Sequence, residues 1–125
     1  MDRVHFNLTQ FMNVSVSGVV LAADDLSSVV RSLITAKSGW TVYIQSILMA
    51  VTTDNAATQL FQDTAGTPIV AAGSKASPGI GPISFPFGAE GFALTESKGL
   101  SLKNSGAGLA YSYTVQAYMK KTASN

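Results

Sequence analysis

The residues that could carry out acid–base or metal chemistry are few and scattered. His5 is the only histidine, and it lies in a predicted arm where nothing fixes it beside a serine, as a Ser–His–Asp triad requires. Asp54 and Asp63 flank a predicted strand, but two separated carboxylates lack the ligand spacing of a metal site. Glu90 and Glu96 would make a glycosidase pair only across a cleft of defined width, which no pattern here indicates. Because the chain also has no cysteine, we predict no catalytic residue, no metal and no cofactor.

Glycine fragments and aromatic residues are the remaining candidates for ligand binding. Gly79-Ile-Gly81 has no strand-to-helix context, and Gly73-Ser-Lys75 lacks the preceding glycine of a phosphate-binding loop. Aromatic side chains on predicted strands could form a platform for stacking a sugar: Trp40, Tyr43, Tyr111, Tyr113 and Tyr118. Aromatic residues on strands more often pack in a core or a subunit interface, which is the interpretation we favour.

Charge is scarce along the whole chain. Charged residues are 12% of the sequence, against about 25% in ordinary soluble domains, while hydrophobic residues are 46% and the net charge is +1. A weakly polar surface is often covered by other subunits, so the composition favours assembly over a freely diffusing monomer. No basic run extends beyond Lys120-Lys121, so we expect no nucleic-acid partner. The apolar run from Ile47 to Val51 is far too short to span a bilayer, no signal peptide is visible, and we expect no membrane partner.

Short strand patterns separated by turn residues recur along the chain. The clearest strands are Val29 to Thr35, Trp40 to Thr53 and Thr58 to Asp63, and they are separated by turns such as Lys37-Ser-Gly39. Weaker strand patterns follow later in the chain, near Ile69-Val70, Ile83, Phe92 and Leu100. About eight strands, turns at intervals of about ten residues and no helical period predict a single all-β domain, a sandwich or a barrel.

The long run from Trp40 to Thr53 does not alternate cleanly. Val42 and Ile44 share one face, whereas Ile47, Met49 and Val51 fall on the other face of a regular strand. Either a β-bulge changes the phase, or both faces are buried. The second alternative fits a strand shared between a core and a neighbouring subunit, and it makes Ile47, Met49 and Val51 candidate interface residues.

The last long stretch is predicted to form a β-hairpin. Apolar residues occupy every second position from Leu109 to Met119, and Leu100 and Leu102 alternate with polar residues on the expected partner strand. The sequence between them, Asn104-Ser-Gly-Ala-Gly108, is rich in residues that tolerate positive φ.

The first 27 residues differ from the rest and predict an extended N-terminal arm with one or two short strands. The arm contains apolar residues with little turn chemistry to fold it back on itself, and these are the candidate docking residues: Val4, Phe6, Leu8, Phe11 and Met12. The domain proper then spans residues 28–125. The alternative is that Val14 to Leu21 is simply the first strand of the domain.

Several segments together resemble a known family. They are Leu33-Ile-Thr-Ala-Lys-Ser-Gly39, Val42-Tyr-Ile44, Gly99-Leu-Ser-Leu-Lys103 and Tyr111-Ser-Tyr-Thr-Val-Gln-Ala-Tyr118. The block from Leu33 to Lys120 looks like the single jelly-roll proteins that decorate, or cement, the heads of tailed bacteriophages. The resemblance covers about three quarters of the chain and is carried by strand and turn patterns.

The resemblance implies a single jelly-roll β-sandwich of eight antiparallel strands, assembled as a homotrimer. It also implies a structural protein of the virion, located on the outer capsid surface and bound to the major capsid protein, with no catalytic residues. N-terminal arms in such proteins commonly reach across neighbouring capsid subunits. The same fold also serves as the trimeric receptor- or carbohydrate-binding head of tail fibres and spikes, which is the alternative function.

Overall fold

The computed structural model describes residues 11–21, 30–51, 57–74, 83–104 and 110–121, and within these ranges the chain is all-β with no helix. The strands, numbered in chain order, are β1 (Phe11–Asn13), β2 (Val16–Val20), β3 (Val30–Ile34), β4 (Trp40–Val51), β5 (Ala57–Asp63), β6 (Pro68–Ser74), β7 (Ile83–Pro86), β8 (Phe92–Ala93), β9 (Leu100–Asn104) and β10 (Tyr111–Lys121).

These strands form two antiparallel sheets. Sheet A has six strands in the order β1-β10-β4-β7, with β2 also paired to β10 and β8 also paired to β4. Sheet B has four strands in the order β3-β9-β5-β6. The two sheets pack face to face around one core, so the prediction of an all-β antiparallel sandwich is confirmed for the described residues.

The core lies between the inner faces of the two sheets. Sheet A contributes alternate residues of its two long central strands, and sheet B contributes Phe61, Leu100 and Leu102 together with Leu33 and Ile34. The fully buried side chains of sheet A include Val42, Ile44, Ile47 and Val115. Burial of large aliphatic and aromatic side chains at about 1.5–3 kcal/mol each is the main stabilising term for such a sandwich.

A β-bulge explains the irregular pattern of β4. Residues Ser46 and Ile44 pair with the consecutive residues Gln116 and Ala117 of β10, which leaves Gln45 without a partner in that strand. One extra residue shifts the alternation by one position, so Ile47 and Met49 face the core together with Val42 and Ile44.

The predicted C-terminal hairpin is wrong, although both of its strands exist. Strand β9 pairs with β3 and β5 in sheet B, whereas β10 pairs with β1, β2 and β4 in sheet A. Alternation reports that each strand has one buried face, but it does not report which strand lies beside it. Two strands that cover the same core from opposite sides therefore show the same pattern as a hairpin.

The described residues 11–21 contribute two strands to the sandwich. Strand β2 pairs with β10 from Val16↔Val115 to Val20↔Tyr111, and Val20 is buried in the core. Within the predicted arm of residues 1–27, the segment Phe11–Val20 therefore pairs with the domain. Those residues, with Val4, Phe6 and Leu8, lie outside the described part of the chain.

Candidate docking surface at the N-terminal edge of sheet A

Strand β1 presents apolar side chains at the edge of sheet A. It pairs with the end of β10 through Phe11↔Lys120, Met12↔Met119 and Asn13↔Tyr118. Successive side chains of a strand point to opposite faces, so Phe11 lies on the outer face of the sheet and Met12 on the inner side. Phe11 is 63% exposed and Met12 is 41% exposed, so both side chains are accessible to a partner.

A short irregular segment separates β1 from β2 and is tied to β10 by hydrogen bonds. The amide of Val14 donates to the carbonyl oxygen of Ala117 at 3.1 Å, and Ser15 Oγ accepts the amide proton of Ala117 at 3.0 Å. The amide of Ser15 donates to Asn13 Oδ1 at 2.8 Å. These bonds hold β1 and β2 against one strand, and within the described chain both pair on one side only. Among the described residues, the other side of each strand is therefore an open sheet edge.

An apolar groove of about 440 Å³ opens on the inner side of this edge, between the two sheets. Its walls are mainly hydrophobic and come from both sheets: Met12, Val14, Val16, Leu33, Ile34 and Met119. Ser15, Thr35 and Lys37 supply the polar part of the lining. A groove of this composition suits an aliphatic or aromatic side chain, because apolar side chains form most of its described lining.

An aromatic cluster covers the outer side of the same edge. The rings of Tyr43 and Tyr118 are stacked, with centroids 5.0 Å apart and planes inclined by 6°, and Phe11 lies against Tyr118 at 5.7 Å. Lys120 Nζ lies 5.2 Å from the centroid of the Tyr43 ring. The hydroxyl of Tyr118 donates to the carbonyl oxygen of Glu90 at 2.8 Å. This hydrogen bond holds in place the Tyr118 ring, which contacts both Tyr43 and Phe11.

The structure distributes the predicted site residues unevenly. Phe11 and Met12 lie at the exposed edge, one on each side of β1, whereas Ile47 and Met49 are buried in the core of their own chain. The side chain of Val51 lies outside the described part. A second subunit that contacted β4 would therefore meet the outer face of the strand, where Leu48 is 43% exposed.

Sequence reasoning missed most of the docking surface. The sequence predicts Tyr43 and Tyr118 as core or interface residues, with a sugar-stacking platform as the alternative, and it does not predict their contact, which depends on the pairing of two strands distant in sequence. The groove was not predicted, since its walls come from β1, β2, β3 and β10. A signal was present in β10, where Tyr118 and Lys120 occupy the positions that alternate with the core residues Ala117 and Met119.

The acidic residues considered for chemistry do not form a site among the described residues. Asp63 is buried, and its Oδ1 accepts the amide protons of Ala65 at 2.8 Å and Thr67 at 2.9 Å, which stabilises the turn after β5. Glu90 contributes its backbone carbonyl to Tyr118. No cluster of three or more His, Cys, Asp or Glu residues occurs in the part of the chain that is described. His5 and Asp54 lie outside that part.

No protein-family model matches the chain, and no curated protein sequence matches it either. Among the described residues, no helix has the length and apolar character needed to cross a membrane.

Proposed function

We propose that the protein is a decoration, or cement, protein of a tailed bacteriophage. In this proposal it binds the outer surface of the assembled head as a homotrimer, contacts the major capsid protein and stabilises the shell without catalysis or a cofactor. The observation that carries the proposal is the N-terminal edge of sheet A, where an open strand edge is flanked by an apolar groove and an aromatic cluster.

The strand pairing supports a jelly roll. β1 and β2 occupy one edge of β10, and β7 and β8 occupy one edge of β4, so each pair acts as one interrupted strand. If each of these two pairs is counted as one strand, the described residues form eight strands. The first pairs with the eighth (β2 with β10), the second with the seventh (β3 with β9), the third with the sixth (β4 with β7) and the fourth with the fifth (β5 with β6). The chain thus pairs as one long hairpin folded back on itself, with successive pairs in alternate sheets, which is how a jelly roll is wound.

The chemistry of the edge favours a protein partner that supplies a strand and apolar side chains. A segment of the capsid protein could pair with the open edge, where backbone hydrogen bonds supply affinity and side chains that fill the groove supply specificity. Protein bound only to the assembled shell stabilises that shell by mass action.

The residues before Phe11 extend this surface in the proposal. Val4, Phe6 and Leu8 have the same parity in the sequence as Met12, so in an extended chain they would share its face. The first ten residues, fully extended, would reach about 33–36 Å beyond the sandwich.

Co-sedimentation with undecorated heads of the phage that encodes this chain tests the proposal. We expect deletion of residues 1–10, and separately Met12→Ser, to weaken binding at least about tenfold, the effect of losing about 1.4 kcal/mol of contact. Val30→Ser is the matched control, because Val30 is also an exposed apolar residue but lies on β3 of sheet B. Full binding by both edge variants would contradict a role for this edge, and no binding by the unaltered chain would contradict the function.

The aromatic cluster supports the alternative function, a trimeric receptor- or carbohydrate-binding head of a tail fibre or spike. A fixed and partly exposed aromatic surface such as Phe11, Tyr43 and Tyr118 is a surface on which a sugar ring can stack. A glycan array separates the two functions. Specific glycan binding that Tyr43→Ala abolishes, together with no binding to heads, would favour the fibre head.

A further inference from the structure

A second, smaller cavity lies at the sheet edges opposite those that form the apolar groove. It has a volume of about 70 Å³ and lies between β8 of sheet A and the turn that joins β5 to β6 of sheet B. Buried and half-buried residues form part of its lining: Asp63, Ile69 and Leu94. Exposed residues form the remainder: Thr67, Pro68, Phe92, Ala93 and Thr95. We call this site the Asp63 cavity.

Asp63 is the unusual member of this lining. It is only 3% exposed, and an Asp residue is rarely buried so completely unless its charge is paired. Its Oδ1 accepts the amide protons of Ala65 and Thr67. Among the described residues, Oδ2 accepts no hydrogen bond and no cationic side chain pairs with the carboxylate. Because a buried charge is costly without a partner, the cavity is the place where a cationic ligand would complete the pairing of Asp63.

We propose that the Asp63 cavity binds the ammonium end of a lysine side chain from a partner protein. An ammonium group is a compact charge with three N–H donors, so it can donate to Oδ2 alone and turn its other donors to hydroxyl groups. Thr67 and Thr95 supply hydroxyl groups in the lining. The methylene stem of a lysine packs along apolar surface, which is supplied here by Pro68, Ile69 and Leu94.

An aromatic ring in the lining adds to this recognition. Phe92 lines the cavity and is 45% exposed. Its ring lies against the ring of Phe87, with centroids 5.8 Å apart, so its position is supported by a second aromatic side chain. The face of an aromatic ring attracts a cation, and the attraction grows when the cation leaves water. A carboxylate, hydroxyl groups and an aromatic ring around one small cavity therefore suit an alkylammonium ligand.

Two other cations fit the cavity less well. The guanidinium group of arginine favours two parallel hydrogen bonds to the two oxygens of one carboxylate, and Oδ1 of Asp63 already accepts two amide protons. Calcium takes about six to eight oxygen ligands. The side chains of the lining offer one remaining carboxylate oxygen and two threonine hydroxyl groups. The inference does not depend on the proposed function, because this cavity lies away from the N-terminal edge of sheet A.

An NMR titration of the full-length protein tests the inference without a capsid. The probe is lysine amide with an acetylated α-amino group, and the control probe carries a further acetyl group on the side-chain nitrogen, which removes the charge. We expect the charged probe alone to give saturable shifts at Ala65, Thr67 and Thr95, with a millimolar dissociation constant. Asp63→Asn should weaken binding at least about tenfold, because asparagine keeps a carbonyl oxygen for the two amide bonds of the turn but carries no charge.

Two further variants make the titration decisive. Glu90→Gln is the matched control, because it removes the same charge from an exposed residue that contacts Tyr118 through its backbone carbonyl, and it should leave the affinity unchanged. Phe92→Leu should weaken binding about two- to fivefold and keeps the inference testable if Asp63→Asn does not fold. Absence of saturable shifts, equal binding of the neutral probe, or unchanged affinity in folded Asp63→Asn or in Phe92→Leu would each overturn the inference. Tighter binding of calcium chloride or of the corresponding arginine probe would also overturn it.

Discussion

At the scale of single residues, Gly99 lies where the chain before β9 contacts both Thr64, after β5, and the end of β3 at Ile34. Its amide donates to Thr64 Oγ1 at 3.1 Å, and its carbonyl oxygen accepts the amide proton of Thr64 at 3.1 Å. A Cβ atom at this position would overlap the carbonyl oxygen of Ile34 and lie 2.8 Å from the amide nitrogen of Ala36. The backbone of β3 can pass this close only because residue 99 has no side chain.

Gly99→Ala should therefore lower the free energy of unfolding by about 2 kcal/mol or more, because backbone atoms must move to admit the methyl group. Gly66→Ala is the control for the glycine conformation alone. Gly66 has φ +94°, but a Cβ there would meet nothing within 4 Å, so the expected cost is only the roughly 1–2 kcal/mol of left-handed backbone. Urea denaturation of both variants measures the difference. A Gly99→Ala variant more stable than Gly66→Ala would contradict the close approach.

Single residues also show how far sequence reasoning reaches. The sequence predicts Phe11 and Met12 as apolar residues available for docking, and both are exposed at the edge of sheet A, whereas their partner stays a prediction. The stacking of Tyr43 on Tyr118 was not predictable, because the two residues are separated by 74 others and meet only through the pairing of β4 with β10. Local alternation predicts the face that a side chain occupies, and only strand pairing decides its neighbours.

At the scale of elements, the bulge in β4 decides which residues form the core. Gln45 is the unpaired extra residue, its carbonyl oxygen accepts the amide proton of Phe87 at 2.8 Å, and its Nε2 donates to the carbonyl oxygen of Ala89 at 2.6 Å. The bulge is thus held by the segment that follows β7. Because of the bulge, Val42 and Ile44 before it and Ile47 and Met49 after it all face the core, although they would lie on opposite faces of a regular strand.

Deletion of Gln45 should be far more damaging than replacement of its side chain. Without the extra residue, a regular strand would direct Ile47 and Met49 away from the core, at a cost of at least about 3 kcal/mol for two large side chains. Gln45→Ala keeps the bulge and loses one exposed hydrogen bond, so it should cost less than about 1 kcal/mol. Denaturation midpoints compare the two, and equal midpoints would refute the role assigned to the bulge.

Most strands were predictable from the sequence, whereas their arrangement was only partly so. Val30–Ile34, Trp40–Val51 and Ala57–Asp63 coincide closely with the predicted runs, because each is rich in β-branched or aromatic residues between turn signals. The predicted hairpin failed because β9 and β10 face the same core from different sheets. The described residues form ten strands where the sequence predicts about eight, since β1 and β2 share one edge of β10 and β7 and β8 share one edge of β4.

At the scale of the whole molecule, the middle of the outer face of sheet A carries uncharged side chains. The outward positions there are Ser17 and Val19 of β2, Thr114 and Gln116 of β10, and Ser46 and Leu48 of β4. Lys120 lies at the end of β10, where Tyr43 and Tyr118 stack. In our proposal the N-terminal edge of sheet A meets the capsid.

Electron cryomicroscopy of virions made with and without this protein is the most direct test of the proposed function. We predict protrusions on the outer surface of the head that a trimer of the two-sheet sandwich fits, with the first residues of each chain directed toward the shell. Virions without the protein should lack these protrusions and keep their tails unchanged. Density that disappears from a tail fibre or spike, with the head surface unaltered, would contradict the proposal and favour the receptor-binding alternative.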